Sequence, residues 1–188
     1  MKSVWQGERI RLRPMVPSDW ESCFRWDQDS DIQRRCDSVH FPRSPEGVEL
    51  WAQEESARTP INDQFRWMIE TLEGETIGTI NTFGCSRRNG TFRYGLAIAR
   101  EHQRRGYGSE AIMLVMRYYF QELRYQKATV SVYDFNHPSI GLHEHLGFQL
   151  EGHLRRMVYT KGEYFDELVY GMTSEEFTTR YADFLSQE

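Results

Sequence analysis

The chain has 188 residues, of which 39% are hydrophobic and 14% aromatic, and its formal net charge is −5. This length and composition suit one globular domain, predicted to span residues 1–188, and exclude disordered and fibrous classes. The negative charge argues against a nucleic-acid partner, because neutralising phosphates needs a broad basic face.

Cysteine usage and the lack of long apolar runs predict a cytoplasmic protein without membrane association. The N-terminus has no apolar stretch of the length found in a signal peptide, and no apolar run elsewhere is long enough to span a bilayer. Cys23, Cys36 and Cys85 are odd in number, widely separated and form no CxxC pair. This pattern indicates free, buried thiols in a reducing compartment.

Alternation and capping residues predict the elements of the first half. Ile10 and Leu12 alternate with arginines, as in a half-buried strand, and Ser18-Asp19 is typical of a helix start. The charged stretch 28–45 is predicted as a loop, and Pro45 favours the start of a helix. The predicted strands are 9–13, 65–72 and 76–83, and the predicted helices are 18–27 and 45–57.

The second half predicts a parallel crossover within a mixed sheet. Asn89-Gly90 is a strong hairpin signal, so the strand from Phe92 should run antiparallel to the preceding one. A strand, a helix and a further strand then imply parallel neighbours. The predicted strands are 92–98, 128–133, 151–159 and 164–172, with helices ending near 124 and 147 and a last helix from Thr173 through Phe184. The element order predicts an α+β fold.

The turn at residues 102–111, His-Gln-Arg-Arg-Gly-Tyr-Gly-Ser-Glu-Ala, predicts an anion site at the start of the long helix. Gly106 and Gly108 let the backbone approach a ligand, and the first-turn amides of a helix lack partners within it. Such an end attracts anions, and Arg104 and Arg105 add positive charge. We interpret the turn as a cradle for a pyrophosphate. One apolar stripe should pack the helix on the sheet: Ile112, Val115, Met116, Tyr119 and Leu123.

A dinucleotide-binding oxidoreductase is an alternative for the same turn. Gly106-x-Gly108-x-x-Ala111 fits the nicotinamide-dinucleotide fingerprint, and Asp134 ends the following strand, where a ribose-binding acid would stand. In that fingerprint the first glycine follows its strand almost at once, whereas residues 99–105 intervene here, and no further crossover units follow. These two departures disfavour the alternative.

Three motifs resemble the GNAT superfamily of acyl-CoA-dependent N-acetyltransferases. The turn Gln103 to Gly108 matches its Gln/Arg-x-x-Gly-x-Gly/Ala signature. The other matches are Asn136-x-x-Ser139 with Glu144 to Phe148, and Gly162, Tyr164, Asp166 and Tyr170. These two resemble the branch that contains the ribosomal-protein N-terminal acetyltransferases. The resemblance implies a mixed, mostly antiparallel sheet of about seven strands flanked by four to five helices.

The resemblance also implies the chemistry. An acetyl group would pass from acetyl-CoA directly to a primary amine, without a metal; the acceptor could be a protein N-terminus, a polyamine or another small amine. No nucleic acid or membrane is expected, and a homodimer is left open. The implied coenzyme-binding residues are Leu96, Ala97, Ile98, Gln103, Arg104, Arg105, Gly106, Tyr107, Gly108, Ser109, Asn136 and Ser139.

The implied catalytic residues are Ser139 and His143, as alternative proton donors to the leaving thiolate. Many family members carry a tyrosine at the position of His143. A glutamate that often serves as general base is replaced by Arg93, so the base is unassigned; Glu70 or a water chain are the candidates left. An alternative function is a degenerate acyl-CoA-binding sensor. The acidic residues of the first two helices suggest either a solvated face or a rim for cationic amines.

Overall fold

The computed structural model describes residues 3–186 and has seven strands in one mixed sheet, in the order β1-β2-β3-β4-β5-β7-β6. The strands are β1 (Ile10–Pro14), β2 (Arg66–Thr71), β3 (Thr76–Ser86), β4 (Thr91–Ile98), β5 (Lys127–Tyr133), β6 (Gln149–Thr160) and β7 (Glu163–Thr173). Only β4 and β5 are parallel, and every other neighbouring pair is antiparallel. The predicted α+β fold and the parallel crossover are confirmed.

The part of the chain that the structure describes has seven α-helices flanking the sheet, where about four to five are predicted. They are α1 (Trp20–Trp26), α2 (Ser30–Cys36), α3 (Pro45–Ser56), α4 (Tyr107–Arg117), α5 (His137–Leu146), α6 (Ser174–Arg180) and α7 (Ala182–Leu185), and a π-helical turn at Tyr118–Glu122 extends α4. None of them, over residues 3–186, is both long and apolar enough to cross a membrane.

Three local predictions differ from the structure. The predicted loop 28–45 contains α2, because the Asp29 carboxylate caps it by accepting hydrogen bonds from the amides of Asp31 and Ile32. Asp19 does not cap α1; its carboxylate accepts hydrogen bonds from Arg13 and from the Val16 amide. The three cysteines are free, but only Cys23 is buried.

Alternate residues of the strands enter two separate cores. Trp67 and Ile69 of β2 join the larger core beneath α4, while Met68 joins a smaller one with Val48 of α3. The predicted α4 stripe is buried except for Leu123, which is partly buried. Phe92 of β4 stacks on Tyr119 at 4.3 Å between ring centroids. Helices therefore cover both faces of the sheet, which leaves its strand ends to form a site.

The sheet opens between β4 and β5. Their parallel pairing is limited to three positions, Thr91 to Arg93 against Lys127 to Thr129. Both strands continue, β4 to Ile98 and β5 to Tyr133, without pairing to each other. Beyond Arg93, one edge of β4 is therefore free of strand hydrogen bonds while its other edge stays paired with β3. This opening places polar backbone groups beside the first turns of α4 and α5.

Candidate active site

The loop before α4 presents unpaired amides at a helix start. Gly106 is the residue before the helix and has a φ of +81°, and no side chain among residues 3–186 caps the first turn. The Gln103 side-chain amide donates a hydrogen bond to the Ile98 carbonyl at 2.9 Å, which ties the loop to the end of β4. Tyr107 and Ser109 are half-buried in the first turn. An anion at this end would meet amide hydrogens and the positive end of the helix dipole.

Three guanidinium groups surround this loop. Arg104 and Arg105 are exposed, and neither has an ion-pair partner among the described residues. Arg9, whose side chain is 53% exposed, lies against Gly106 and donates a hydrogen bond to the Arg105 carbonyl at 2.9 Å. Glu110 anchors Arg9 at 3.2 Å. The sequence gives no local signal for Arg9, because it is far from the turn along the chain.

Gly108 brings the two motifs together. A Cβ atom added at Gly108 would lie 3.1 Å from Leu96 Cδ2 of β4 and 3.7 Å from Leu142 Cδ2 of α5. The absence of a side chain therefore allows α4 to pack closely against both elements. The predicted coenzyme residues Leu96, Ala97 and Ile98 lie on the part of β4 that is not paired with β5. The structure thus brings the turn, this strand edge and α5 together.

Asn136 and Ser139 begin α5 at the carboxyl end of β5. The buried Asn136 caps the helix, with Oδ1 accepting from the Ser139 amide at 3.4 Å. Its Nδ2 donates to the Arg35 carbonyl at 3.2 Å, which connects α5 to the end of α2. Ser139 is half-buried, with its hydroxyl 3.4 Å from Nδ1 of His143.

His143 is packed as a core residue. It is 3% exposed and lies among the rings of Tyr94, Phe148 and Tyr170. Nδ1 is 2.7 Å from the Ser139 carbonyl oxygen, and since a carbonyl only accepts, Nδ1 carries the hydrogen. Burial lowers the pKa of His143 to about 4, although the hydrogen bond to Ser139 opposes this. At neutral pH the imidazole is therefore uncharged, which disfavours a role as a strong proton donor.

Glu70, a candidate base by default, is occupied elsewhere. Its carboxylate lies on β2 and forms ion pairs with Arg11 and Arg13. Burial alone would raise the pKa of Glu70, but the hydrogen bonds from these arginines outweigh it and lower the pKa. Strands β3 and β4 lie between β2 and the opening. The geometry removes Glu70 from the site.

A second cluster of polar side chains lies on the sheet near the opening. The Arg93 side chain of β4 reaches Ser131 of β5 and comes within 3.9 Å of Glu167 on β7. Tyr133 of β5 stands opposite Glu167 in the strand register. Burial raises the pKa of Tyr133, and the negative charges of Asp37 and Glu167 raise it further, so both carboxylates are near the phenol. Tyr133, Asp37 and Glu167 were not among the predicted site residues.

The acidic residues of the first helices are mostly paired with arginine. Asp27 pairs with Arg43, and Asp29 accepts two hydrogen bonds from Arg100 at 2.7 and 2.8 Å. Other acids of this run form the pairs Asp19 with Arg13, Asp31 with Arg34, and Glu55 with Arg58 and Arg66. This part of the surface is therefore closer to neutral than its acidic residues suggest. Over residues 3–186, no group of three or more His, Cys, Asp or Glu side chains is arranged to hold a metal ion.

Comparison with known proteins gives one consistent family. The model of a family described as an acetyltransferase (GNAT) domain matches residues 9–149. The chain is 43% identical to the SPbeta prophage-derived uncharacterized N-acetyltransferase YokL of Bacillus subtilis (strain 168), over 93% of this chain and 96% of the relative. It is 24% identical to the spermidine N(1)-acetyltransferase of Escherichia coli (strain K12), over 82% and 81% of the two chains.

Solved structures share the fold. A spermidine N-acetyltransferase from Vibrio cholerae, determined in complex with CoA and spermine, has a TM-score of 0.77 at 20% identity, covering 89% of this chain and 97% of the other. These proteins are spermidine and uncharacterized acetyltransferases, so the more specific resemblance to the ribosomal-protein branch is not supported.

Proposed function

The chain belongs to the GNAT acetyltransferase family and is an N-acetyltransferase, and we propose that it transfers the acetyl group of acetyl-CoA directly to a primary amine that carries a second positive charge. The observation that carries the donor half of this proposal is the opening between β4 and β5, with the uncapped first turn of α4 at one end and Ser139 at the other. Acetyl-CoA would supply an activated thioester carbonyl.

The coenzyme fits the groups that the opening presents. The amides of Tyr107 to Ser109, with Arg104 and Arg105, would hold the pyrophosphate, since both helix start and guanidinium groups favour anions. Arg9 adds a third positive charge beside Gly106. The free edge of β4 at 96–98 would hydrogen-bond the amides of the pantetheine arm.

Ser139 is the better candidate for protonating the thiolate. Its hydroxyl is half-buried in the first turn of α5, whereas His143 is buried, uncharged and bonded to a backbone carbonyl. In this proposal His143 is a positioning residue that holds the first turn of α5 through the Ser139 carbonyl. Asn136 has the same positioning role through its cap of that turn.

The proposed acceptor amine rests on the negative charge near the opening and on the names of relatives. Asp37 and Glu167 place negative charge beside Tyr133, at the end of β5 that borders the opening. The relatives named for spermidine act on a polycationic amine. We therefore favour a polyamine or another diamine over a ribosomal protein N-terminus.

The donor is tested by thermal stability. We expect acetyl-CoA at 100 times its Kd to raise the Tm by about 5–10 °C, because binding to the native state alone stabilises by about 2.7 kcal/mol. NADH and NADPH should leave the Tm unchanged in the same fluorimetric scan. Stabilisation by NADH without stabilisation by acetyl-CoA would contradict the proposal. Binding of acetyl-CoA without thiol release in the presence of any amine would instead indicate a sensor.

The acceptor is tested by comparing matched amines. A diamine should show a kcat/KM about tenfold higher than a monoamine of similar length at low salt, since about 1.4 kcal/mol of attraction gives that factor. The advantage should shrink at high salt, because ions screen exposed charges beyond about 8 Å at physiological ionic strength. Thiol release measured at two salt concentrations gives both ratios. Equal values for the two amines, unaffected by salt, would remove the charge-based preference.

A further inference from the structure

Arg93 stands on β4 at the position where the family resemblance implies a glutamate as general base. It is the last β4 residue paired with β5, so its side chain lies where the opening begins. A guanidinium does not accept a proton from an amine. The proton acceptor for the reaction proposed above must therefore come from another element.

Glu167 reaches this position from β7. Its carboxylate Oε1 is 3.9 Å from Arg93 Nη2, and its side chain is 18% exposed, so it is shielded but still reachable. No hydrogen bond to the Glu167 carboxylate is present within residues 3–186. The carboxylate thus retains its capacity to accept hydrogen bonds.

The other carboxylates near the sheet are less suitable as the proton acceptor. Both Glu70 oxygens accept hydrogen bonds from arginines on β1. Asp166, next to Glu167, accepts hydrogen bonds from the His153 ring and the Arg156 amide. Asp37 is exposed at the end of α2. Of these four carboxylates, Glu167 alone combines shielding, a neighbouring cation and unused lone pairs.

We propose that Glu167 is the general base of the acetyl transfer, a role that rests on the function proposed above. Its carboxylate takes a proton from the acceptor ammonium, directly or through one water, which frees the nitrogen lone pair. The nitrogen forms a C–N bond with the acetyl carbonyl carbon, and the C–S bond breaks with its electron pair on sulfur. The nitrogen loses a second proton; in the balance, one proton reaches the thiolate and one reaches solvent.

Arg93 and Tyr133 are the neighbours of the proposed general base, Glu167. Arg93 lies 3.9 Å from the carboxylate, and this loose contact allows an ammonium to approach the same oxygens. Tyr133 of β5 stands opposite Glu167 in the strand register, and the negative charges of Asp37 and Glu167 both act on its phenol. An acceptor ammonium would exchange for Arg93 as the ionic partner of Glu167, so the same group both attracts and deprotonates the amine.

The test is Glu167→Gln, which keeps the shape and removes the charge. With a diamine at neutral pH we expect kcat to fall by at least about 100-fold, the lower range for lost acid–base catalysis. The Kd for acetyl-CoA and the Tm should change little. With a primary amine that is already neutral at the assay pH, the loss should be below about tenfold, because no ammonium proton has to be removed. Glu167→Asp should recover part of the rate.

The control is Glu163→Gln, which changes an exposed glutamate on the same strand and should leave kcat unchanged. If the wild type is active and Glu167→Gln keeps its rate, or loses the same factor with neutral and charged amines, Glu167 is not the base. If the wild type binds acetyl-CoA but acetylates no amine, the proposed function itself fails, and the role of Glu167 with it. A rate loss confined to the charged amine supports the assignment.

Discussion

Replacing Gly106 with valine is expected to weaken acetyl-CoA binding by at least about 100-fold, or about 2.7 kcal/mol. Gly106 has a φ of +81°, a region that strongly disfavours a β-branched side chain. A Cβ atom there would also lie 2.7 Å from Arg9 Nη1. The substitution would therefore displace both the amides of the α4 start and one of the three cations beside them. Isothermal titration with acetyl-CoA measures the loss directly.

Gly162→Val is the matched control for backbone strain. Gly162 has a φ of +83°, and nothing lies within 4 Å of a Cβ atom added to it. It occupies the turn between β6 and β7, away from α4. Both variants should lose stability through the same backbone conflict, so their Tm values show the shared loss of stability and the difference between their Kd values for acetyl-CoA isolates the binding effect. If Gly106→Val folds and binds acetyl-CoA as tightly as Gly162→Val, the pyrophosphate cradle lies elsewhere.

The parts of the fold set by local patterns are predictable from the sequence. The apolar period of α4 predicts its buried stripe, and Gly147 ends α5 with the left-handed conformation that its position predicts. Thr173, where the last helix is predicted to begin, forms a capping box with Glu176. Each of these features depends on residues within a few positions along the chain, so no tertiary information is needed.

The features that depend on strand register are not predictable in this way. Glu167 approaches Arg93 only because β7 pairs with β5 and β5 with β4. A signal was nevertheless present, since Glu167 follows Asp166 within the third motif. Arg9 meets Gly106 because β1 lies beside the α4 start, a contact between distant segments. α2 was missed because its Asp29 cap stands within a run of charged residues that resembles a loop.

The burial of His143 likewise depends on distant segments. Its neighbours Tyr94, Phe148 and Tyr170 come from β4, from the connection between α5 and β6, and from β7. Sequence spacing places His143 on the same helical face as Ser139, which is consistent with either a catalytic or a packed residue. The structure supplies the missing fact, because a ring enclosed by three aromatic side chains has little access to water.

That burial predicts a loss of stability in mild acid. The pKa of His143 is about 4 in the folded protein against an ordinary value of 6.5, so the unfolded chain binds a proton at higher pH than the native state. Above pH 6.5 both states are neutral and the full stability is present. As the pH falls from 6.5 toward 4, protonation favours unfolding, by about 2 kcal/mol at pH 5 and about 3 kcal/mol at pH 4.

The effect is measured by urea denaturation of wild type and His143→Asn between pH 7.5 and pH 5, a window above the range in which most carboxylates titrate. Asparagine retains an N–H donor where Nδ1 meets the Ser139 carbonyl, but it cannot take up a proton. The free energy of unfolding of His143→Asn should therefore fall by about 2 kcal/mol less than that of the wild type over this range. His145→Asn, which changes an exposed histidine on the same helix, should keep the wild-type pH dependence. Equal slopes for wild type and His143→Asn would mean that His143 binds protons equally in the native and unfolded states, so that burial does not lower its pKa, and it would then return as a proton donor to the leaving thiolate.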